Sequence, residues 1–315
     1  METGRRLMGV PWTITLYAAS EAAGREAAAA AFAEVERLNG ILSDYDETSE
    51  LARLSAAAPT AVPVEVSEDL WRVLERAVAI REATGGAFDP TVGPLTTLWR
   101  QSRRSGALPL PDKLAAARAA VGPDTLRLDR EHRTVRLEAS GMRLDLGGIG
   151  MGYAIDRALE VLRRRSINAA MIDASGDIGV SGPPPGSPGW RIDVAPLDPL
   201  ATDAPRQTLV LVDAAVTTSG DARQGVEIDG IRYSHIVDPR TGIGVVGPAA
   251  VTVIARDCTT ADALATAASV LGPEEGMRVV AAEPGAAARF VWLESGAARE
   301  VSSPRWPAQP SQPAE

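Results

Sequence analysis

Trp12, Ile14 and Leu16 alternate with Thr13, Thr15 and Tyr17, so residues 9–18 read as a β-strand with one apolar face. The period then changes. Between Glu21 and Leu42 an alanine-rich segment carries Ala28, Phe32, Val35 and Leu38 at three- and four-residue spacing, which predicts an amphipathic helix. The polar run from Ser43 to Glu50 leads into a short helix through Leu54. Ser67 before Glu68 and Asp69 supplies an N-cap and an acidic first turn for a helix through Arg81. Residues 84–91 read as a loop, and strand-like runs at 125–129 and 134–138 flank a turn around Glu131.

The second half is punctuated differently. A glycine-rich turn, Gly147 to Gly152, feeds an amphipathic helix from Tyr153 to Arg164, and Ala169 to Ile172 is a short strand with Gly176-Asp177 beyond it. Residues 183–189, rich in proline and glycine, form an exposed loop. Strands follow near 190–195, 208–217 and 249–255, then a helix from Thr260 to Leu271. The last stretch, 303–315, holds four prolines and is expected to be a disordered tail, leaving 1–302 as a single domain with room for two lobes. No internal repeat is found. Strands and helices mix without a strict βαβ rhythm, so the expected class is α+β, with mixed sheets and flanking helices.

Composition removes several functions. The 315 residues suffice for a large buried core. Lys and Arg number 32 against 41 Asp and Glu, a net charge of −9 that disfavours nucleic acid and anionic lipid as partners. One cysteine, Cys258, and two histidines, His132 and His235, exclude a disulfide framework, a cysteine metal cluster and a multi-histidine zinc site. Lys113 is the only lysine. No run approaches the ~18 apolar residues of a membrane span. Arg5-Arg6 and the apolar stretch after them loosely mimic a signal peptide. Pro11, Thr13 and Thr15 interrupt that stretch and no cysteine follows to take a lipid, so a first strand is favoured. As written the chain is expected in the cytoplasm, or outside it if the N-terminus is truncated.

Five segments have the residues for chemistry. Asp145 through Tyr153 is either a tight strand-to-helix turn or an anion cradle, since glycines allow close approach and helix-start amides favour phosphate. Ser234 through Gly242 holds His235, Asp238 and Arg240; an imidazole can take a proton from a hydroxyl nucleophile, or serve only structure. Asp262 and Thr266, four apart, share one helix face; they suit a hard cation such as Mg²⁺, or merely cap and brace the helix. The Gly85–Thr91 loop with Phe88 can grip a planar ligand or pack inward, and Thr217 through Asp221 can bind phosphate or end a strand. His132 sits in a polar turn without chemical company.

In order along the chain, these blocks resemble the ApbE family, the FAD:protein FMN transferases. The resemblance runs from Met8-Gly9 to about Leu271. It rests on Ser43-Asp44-Tyr45 with Ser49-Glu50-Leu51, Gly86 through Thr91, Asp145-Leu146-Gly147-Gly148-Ile149, Thr218 through Asp221, His235 through Gly242, and Ala261-Asp262 with Thr266. It implies a ligand cleft between two lobes and Mg²⁺-dependent transfer of FMN from FAD to a threonine of an acceptor protein, with release of AMP. Carried over by position, it implies His235 as the catalytic base and Gly148, Asp262 and Thr266 as metal donors. It likewise implies FAD contacts from Met8, Tyr45, Ala87, Phe88, Asp89, Asp145, Met151 and Ile236, with Asp89 and Asp145 accepting hydrogen bonds.

Three departures stand out. Gly150-Met151 replaces the Ala-Lys of most relatives, Asp221-Ala222-Arg223 replaces the usual Asp/Asn-Tyr-Glu block, and an exporting lipoprotein leader is not expected in the sequence as written. Two other functions fit the same residues: a Mg²⁺-dependent FAD pyrophosphatase, with water in place of the threonine, and a non-catalytic FAD-binding or delivery protein.

Overall fold

The computed structural model describes residues 1–194, 207–220, 225–247, 249–294 and 297–307. β1 (Glu2–Leu7) and β2 (Val10–Tyr17) form a hairpin whose turn holds Met8 and Gly9 at φ 47° and 80°, a double left-handed geometry that matches right-twisted strands. On β2 the alternation buries Trp12, Ile14 and Leu16. α1 (Glu21–Leu42) begins where the Ser20 hydroxyl accepts the Ala23 amide, and α2 (Glu50–Ala56) where Ser49 accepts Ala52. After β3 (Val64–Glu65), α3 (Glu68–Ala83) is capped by Ser67 accepting from Leu70; each cap satisfies an otherwise orphaned amide. Two helices that the periodicity reading passed over follow, α4 (Gly93–Ser105) and α5 (Pro111–Arg118). Each has a proline in its first turn, and α4 stops at Gly106 in the left-handed conformation, φ 68°.

β4 (Leu126–Asp129) and β5 (Thr134–Leu137) pair with β3 in a small sheet. Then come α6 (Gly150–Arg164), β6 (Ala169–Ala174), β7 (Asp177–Ser181), β8 (Trp190–Asp193), β9 (Thr208–Leu211) and β10 (Ala214–Gly220). They are followed by β11 (Val226–Ile228), β12 (Ile231–Val237), β13 (Gly244–Val246), β14 (Ala249–Ala255), α7 (Cys258–Ala282), β15 (Ala287–Glu294) and β16 (Ala297–Ser302). The main sheet has eight strands in the order β1-β2-β6-β7-β10-β14-β15-β16, with every neighbouring pair antiparallel. An antiparallel sheet with attached helices is the α+β class expected. β11-β12-β13 and β8-β9 form two further sheets.

Successive residues of a strand face opposite sides, and the main sheet uses both. Ala215 and Val253 join the large core with α1, α6 and α7, whereas Val216 and Ile254 pack with Trp190, Ile192 and Leu209 of the β8-β9 ribbon. Three boundaries differ from expectation. The run 208–217 is not one strand: the chain turns at Asp213, φ 46°, so β9 and β10 enter different sheets. The helix expected at 260–271 starts at Cys258 and continues to Ala282 beyond a kink at Gly272-Pro273. Finally, the expected tail is docked over its described part. Ser303 donates its amide to Ala288 at 2.8 Å and accepts the Ala288 amide at 2.9 Å, while Trp306 Nε1 donates to Gln207 at 2.8 Å. Residues 308–315 lie outside the described residues.

The first half of α7 is lined by buried alanines (261, 263, 265, 267 and 268) and lies flush against the sheet and α6. Asp156 of α6 accepts the Cys258 and Thr259 amides at 2.8 and 2.9 Å, fastening the start of α7 although burial pushes its carboxyl up to about 6. Where the helices touch, a methyl on Gly152 would lie 2.3 Å from the Cys258 carbonyl oxygen. Gly152→Ala is therefore expected to destabilise the fold by about 1–3 kcal/mol; urea unfolding checks it, and an unchanged midpoint would refute the close contact.

Candidate active site

A cavity of about 250 Å³ opens between the 87–89 loop, α4, the 145–148 turn, the end of β12 and Thr266 of α7. Its loops are built by local side-chain bonds. Thr84 Oγ1 accepts the Phe88 amide at 3.2 Å, and Asp89 Oδ1 accepts the amide and hydroxyl of Thr91 at 2.8 and 2.7 Å. The Asp145 amide donates to the Pro90 carbonyl at 2.9 Å, tying this loop to the glycine turn. Asp145 Oδ1 accepts the Gly147 amide at 2.8 Å, and its Oδ2 accepts the Thr96 hydroxyl at 2.6 Å. Both carboxylates are buried. Asp89 and Asp145 thus stand at the cleft as expected, but the oxygens just named hold the protein's own donors.

Arg100 crosses one side of the cleft. Its guanidinium meets Asp44 at 2.6 Å and Asp145 at 3.3 Å, and lies 4.3 Å from the ring centre of the exposed Tyr45. Burial, then the Asp145 charge, raises the Asp44 carboxyl above its ordinary value despite Arg100.

His235 and Ile236, both half-buried, come from the end of β12. The strand is braced from behind: Trp99 Nε1 donates to the Ser234 carbonyl at 2.9 Å, and the Ile236 amide to Ser234 Oγ at 3.1 Å. Asp238 and Arg240 serve the turn that follows. Arg240 Nε and Nη2 grip Asp238 at 2.9 Å each, and the Gly242 amide closes the loop onto the Asp238 carbonyl at 2.7 Å. His132 is elsewhere, exposed in the β4–β5 turn with Nδ1 2.9 Å from Asp129.

Of the expected metal donors, Gly148 and Thr266 meet in the cleft, and Asp262 is not among the residues of its wall. Thr266 is the one side chain between 258 and 270 that is not buried, and a methyl on Gly148 would lie 2.8 Å from its hydroxyl. Only glycine lets the turn approach so closely. Asp262, one helical turn earlier, is buried and accepts the Gly152 amide at 3.2 Å. Burial, then the charge of Asp177, holds its carboxyl well above the usual range. No described cationic side chain lies within ion-pair distance of it. A buried acid with no described cation beside it, on the same helix face as the Thr266 hydroxyl that meets the Gly148 turn, is a donor set that fits a hard divalent ion. No group of three or more His, Cys, Asp or Glu suited to a metal exists among the described residues, so substrate oxygens or water must complete the shell.

Of the expected FAD contacts, Tyr45, Ala87, Phe88, Asp89, Asp145 and Ile236 share the cavity wall. Met8 and Met151 do not: both are half-buried and pack against the main core, as flexible apolar thioethers do. Thr218 bonds Thr252 across the sheet at 2.9 Å, and Asp221-Ala222-Arg223 lie outside the described residues. The sequence reading missed α4, which brings Thr96, Arg100 and Arg103 to the cleft. Its signals were present: Pro94 at the start, Leu95, Trp99 and Ser102 at helical spacing, and Gly106 at the end.

The ApbE family model matches residues 8–290. The chain belongs to the ApbE family. Among its relatives, the FAD:protein FMN transferase of Vibrio cholerae is 34% identical over 252 residues, covering 79% of this chain and 74% of the relative. That of Treponema pallidum is 34% identical over 280 residues, covering 83% and 75%. The solved flavin transferase ApbE from Vibrio cholerae superposes with a TM-score of 0.87 at 29% identity over 97% of each chain. The ApbE protein from Thermotoga maritima gives 0.82 at 34% identity, covering 95% of this chain and 96% of that one. The likeness therefore spans the eight-stranded sheet and the cleft beside it.

Proposed function

We propose that this ApbE-family chain transfers the FMN moiety of FAD to a threonine hydroxyl of an acceptor protein, releasing AMP. The main support is the convergence, in one cleft, of His235 with the contact between Gly148 and Thr266. Family membership and relatives named FAD:protein FMN transferase supply the reaction class. In the transfer, the threonine oxygen bonds to the phosphorus of the FMN phosphoryl group as the bridging bond to AMP breaks. Such a reaction depends on positioning and charge stabilisation more than on covalent help. His235 takes the hydroxyl proton, since a neutral imidazole is a competent base near neutral pH. Tyr45, Phe88 and Ile236 give the cleft apolar surface against planar rings, and the bonds within the 84–91 loop keep it rigid around them. Asp262, Thr266 and the Gly148 carbonyl would hold Mg²⁺, which when bound supplies charge neutralisation at the pyrophosphate.

Incubation of the protein with FAD, Mg²⁺ and an acceptor domain tests this. Covalent flavin on the acceptor with stoichiometric AMP is the expected result. Free FMN and AMP with an unlabelled acceptor would identify a pyrophosphatase instead, and unchanged FAD a binding protein.

A further inference from the structure

Leu70, Leu74 and Ala77 make the buried stripe of α3, and the same three- and four-residue spacing puts Arg81 on it. An arginine there is a charge at a core-facing position. The residue is 8% exposed, and its Nη1 is shielded from solvent with no hydrogen-bond partner. No ion pair holds the guanidinium among the described residues. A buried charge so placed is costly, and folded proteins as a rule give such groups a partner.

Arg81 lines a cavity of about 270 Å³ between the second half of α3 and β4. This cavity and the cleft of Tyr45 and His235 have no wall residue in common. Val78, Leu126 and Leu128 make one side of it apolar. Its other cation, Arg130, is matched by Glu75 at 3.2 Å. Its second acid, Glu82, is exposed and directly follows Arg81 on the helix, and adjacent helical residues do not face each other. The guanidinium is therefore the charge that the wall does not balance. A water molecule satisfies its N–H but not its charge, whereas the two oxygens of a carboxylate match its planar fork. One carboxylate brings one charge for one guanidinium. A phosphate dianion would add surplus charge beside Glu75 and Glu82, and the apolar side calls for a carbon body.

We propose that this cavity is a second binding site, separate from the FAD cleft, for a small monocarboxylate with an apolar body. The carboxylate pairs with Arg81 and the body rests on Val78, Leu126 and Leu128. The assignment stands whether or not the cleft binds FAD.

Calorimetric titration of the full chain with benzoate tests it, with the neutral isostere benzamide and inorganic phosphate as comparisons. Wild type should bind benzoate saturably with Kd ~0.1–1 mM, the range open to so small a ligand. Benzamide should bind at least ~10-fold more weakly, the scale of a lost charge-assisted hydrogen bond. Two variants locate the site. Arg81→Met removes the guanidinium and keeps an apolar chain of similar length, while Ala79→Trp sets a ring over the cavity from an exposed wall position and leaves Arg81 in place. Each should weaken benzoate binding at least ~10-fold. A thermal melt establishes that each is folded, and Ala79→Trp decides the matter if Arg81→Met is not. No saturable benzoate binding by wild type, equal affinity for benzamide, or wild-type affinity in either folded variant would overturn the proposal. Phosphate bound more tightly than benzoate would overturn the choice of a carboxylate.

Discussion

Replacing His235 by alanine should lower FMN transfer at least ~100-fold while FAD affinity stays near wild type. A threonine hydroxyl is a poor nucleophile at neutral pH, and a positioned base contributes ~10²–10⁴-fold to such a step. His235 stands half-buried on the wall of the cleft. The other histidine is exposed and engaged with Asp129. The backbone around His235 is held by Trp99 on the Ser234 carbonyl and by Ser234 on the Ile236 amide. Truncating the imidazole therefore leaves the strand in place and removes only the side chain. Single-turnover transfer at saturating FAD is the measurement. An unchanged rate in the mutant would leave positioning and electrostatics as the whole of the catalysis.

Much of this was written in local sequence. Ser20, Ser49 and Ser67 announce three helices because a cap needs only its own next turn. The alternation of Trp12, Ile14 and Leu16 needs only one buried face. The four-residue spacing of Asp262 and Thr266 likewise survives, since a helix fixes which residues share a side. What escaped depends on partners distant in the chain. Arg100 could not be matched with Asp44 and Asp145, 56 and 45 residues away, without the fold. The repulsion between Asp177 and Asp262 appears only when β7 and α7 are brought together. Nor could sequence separate the two jobs inside 234–242, where His235 and Ile236 face the cleft while Asp238 and Arg240 clamp the next turn. The split of 208–217 at Asp213 left no clear mark either, because both halves are apolar and each belongs to a different sheet.

Asp262→Asn should abolish the response to Mg²⁺ that the proposed donor set predicts for this protein. In the wild type the carboxylate is buried, bonded to the Gly152 amide, and burdened by the nearby Asp177 charge. An isosteric amide keeps an acceptor for that amide and carries no charge, so the metal-free mutant should be at least as stable as metal-free wild type. The sign of the pH effect follows. A carboxyl held above its ordinary value contributes stability that is present below the unfolded value and lost as pH rises, so the mutant's advantage without metal should grow as pH rises above the ordinary carboxylate range. Adding Mg²⁺ should raise the melting temperature of the wild type, because an ion bound only by the folded state stabilises it, and should leave the mutant unmoved. FMN transfer by the mutant should fall at least ~100-fold, in keeping with the several kcal/mol that a metal supplies to developing charge. The melting curves test the metal site apart from catalysis. A mutant with the wild-type Mg²⁺ shift, or with full activity at limiting Mg²⁺, would remove Asp262 from the ligand set and leave its burial beside Asp177 to be explained by packing alone.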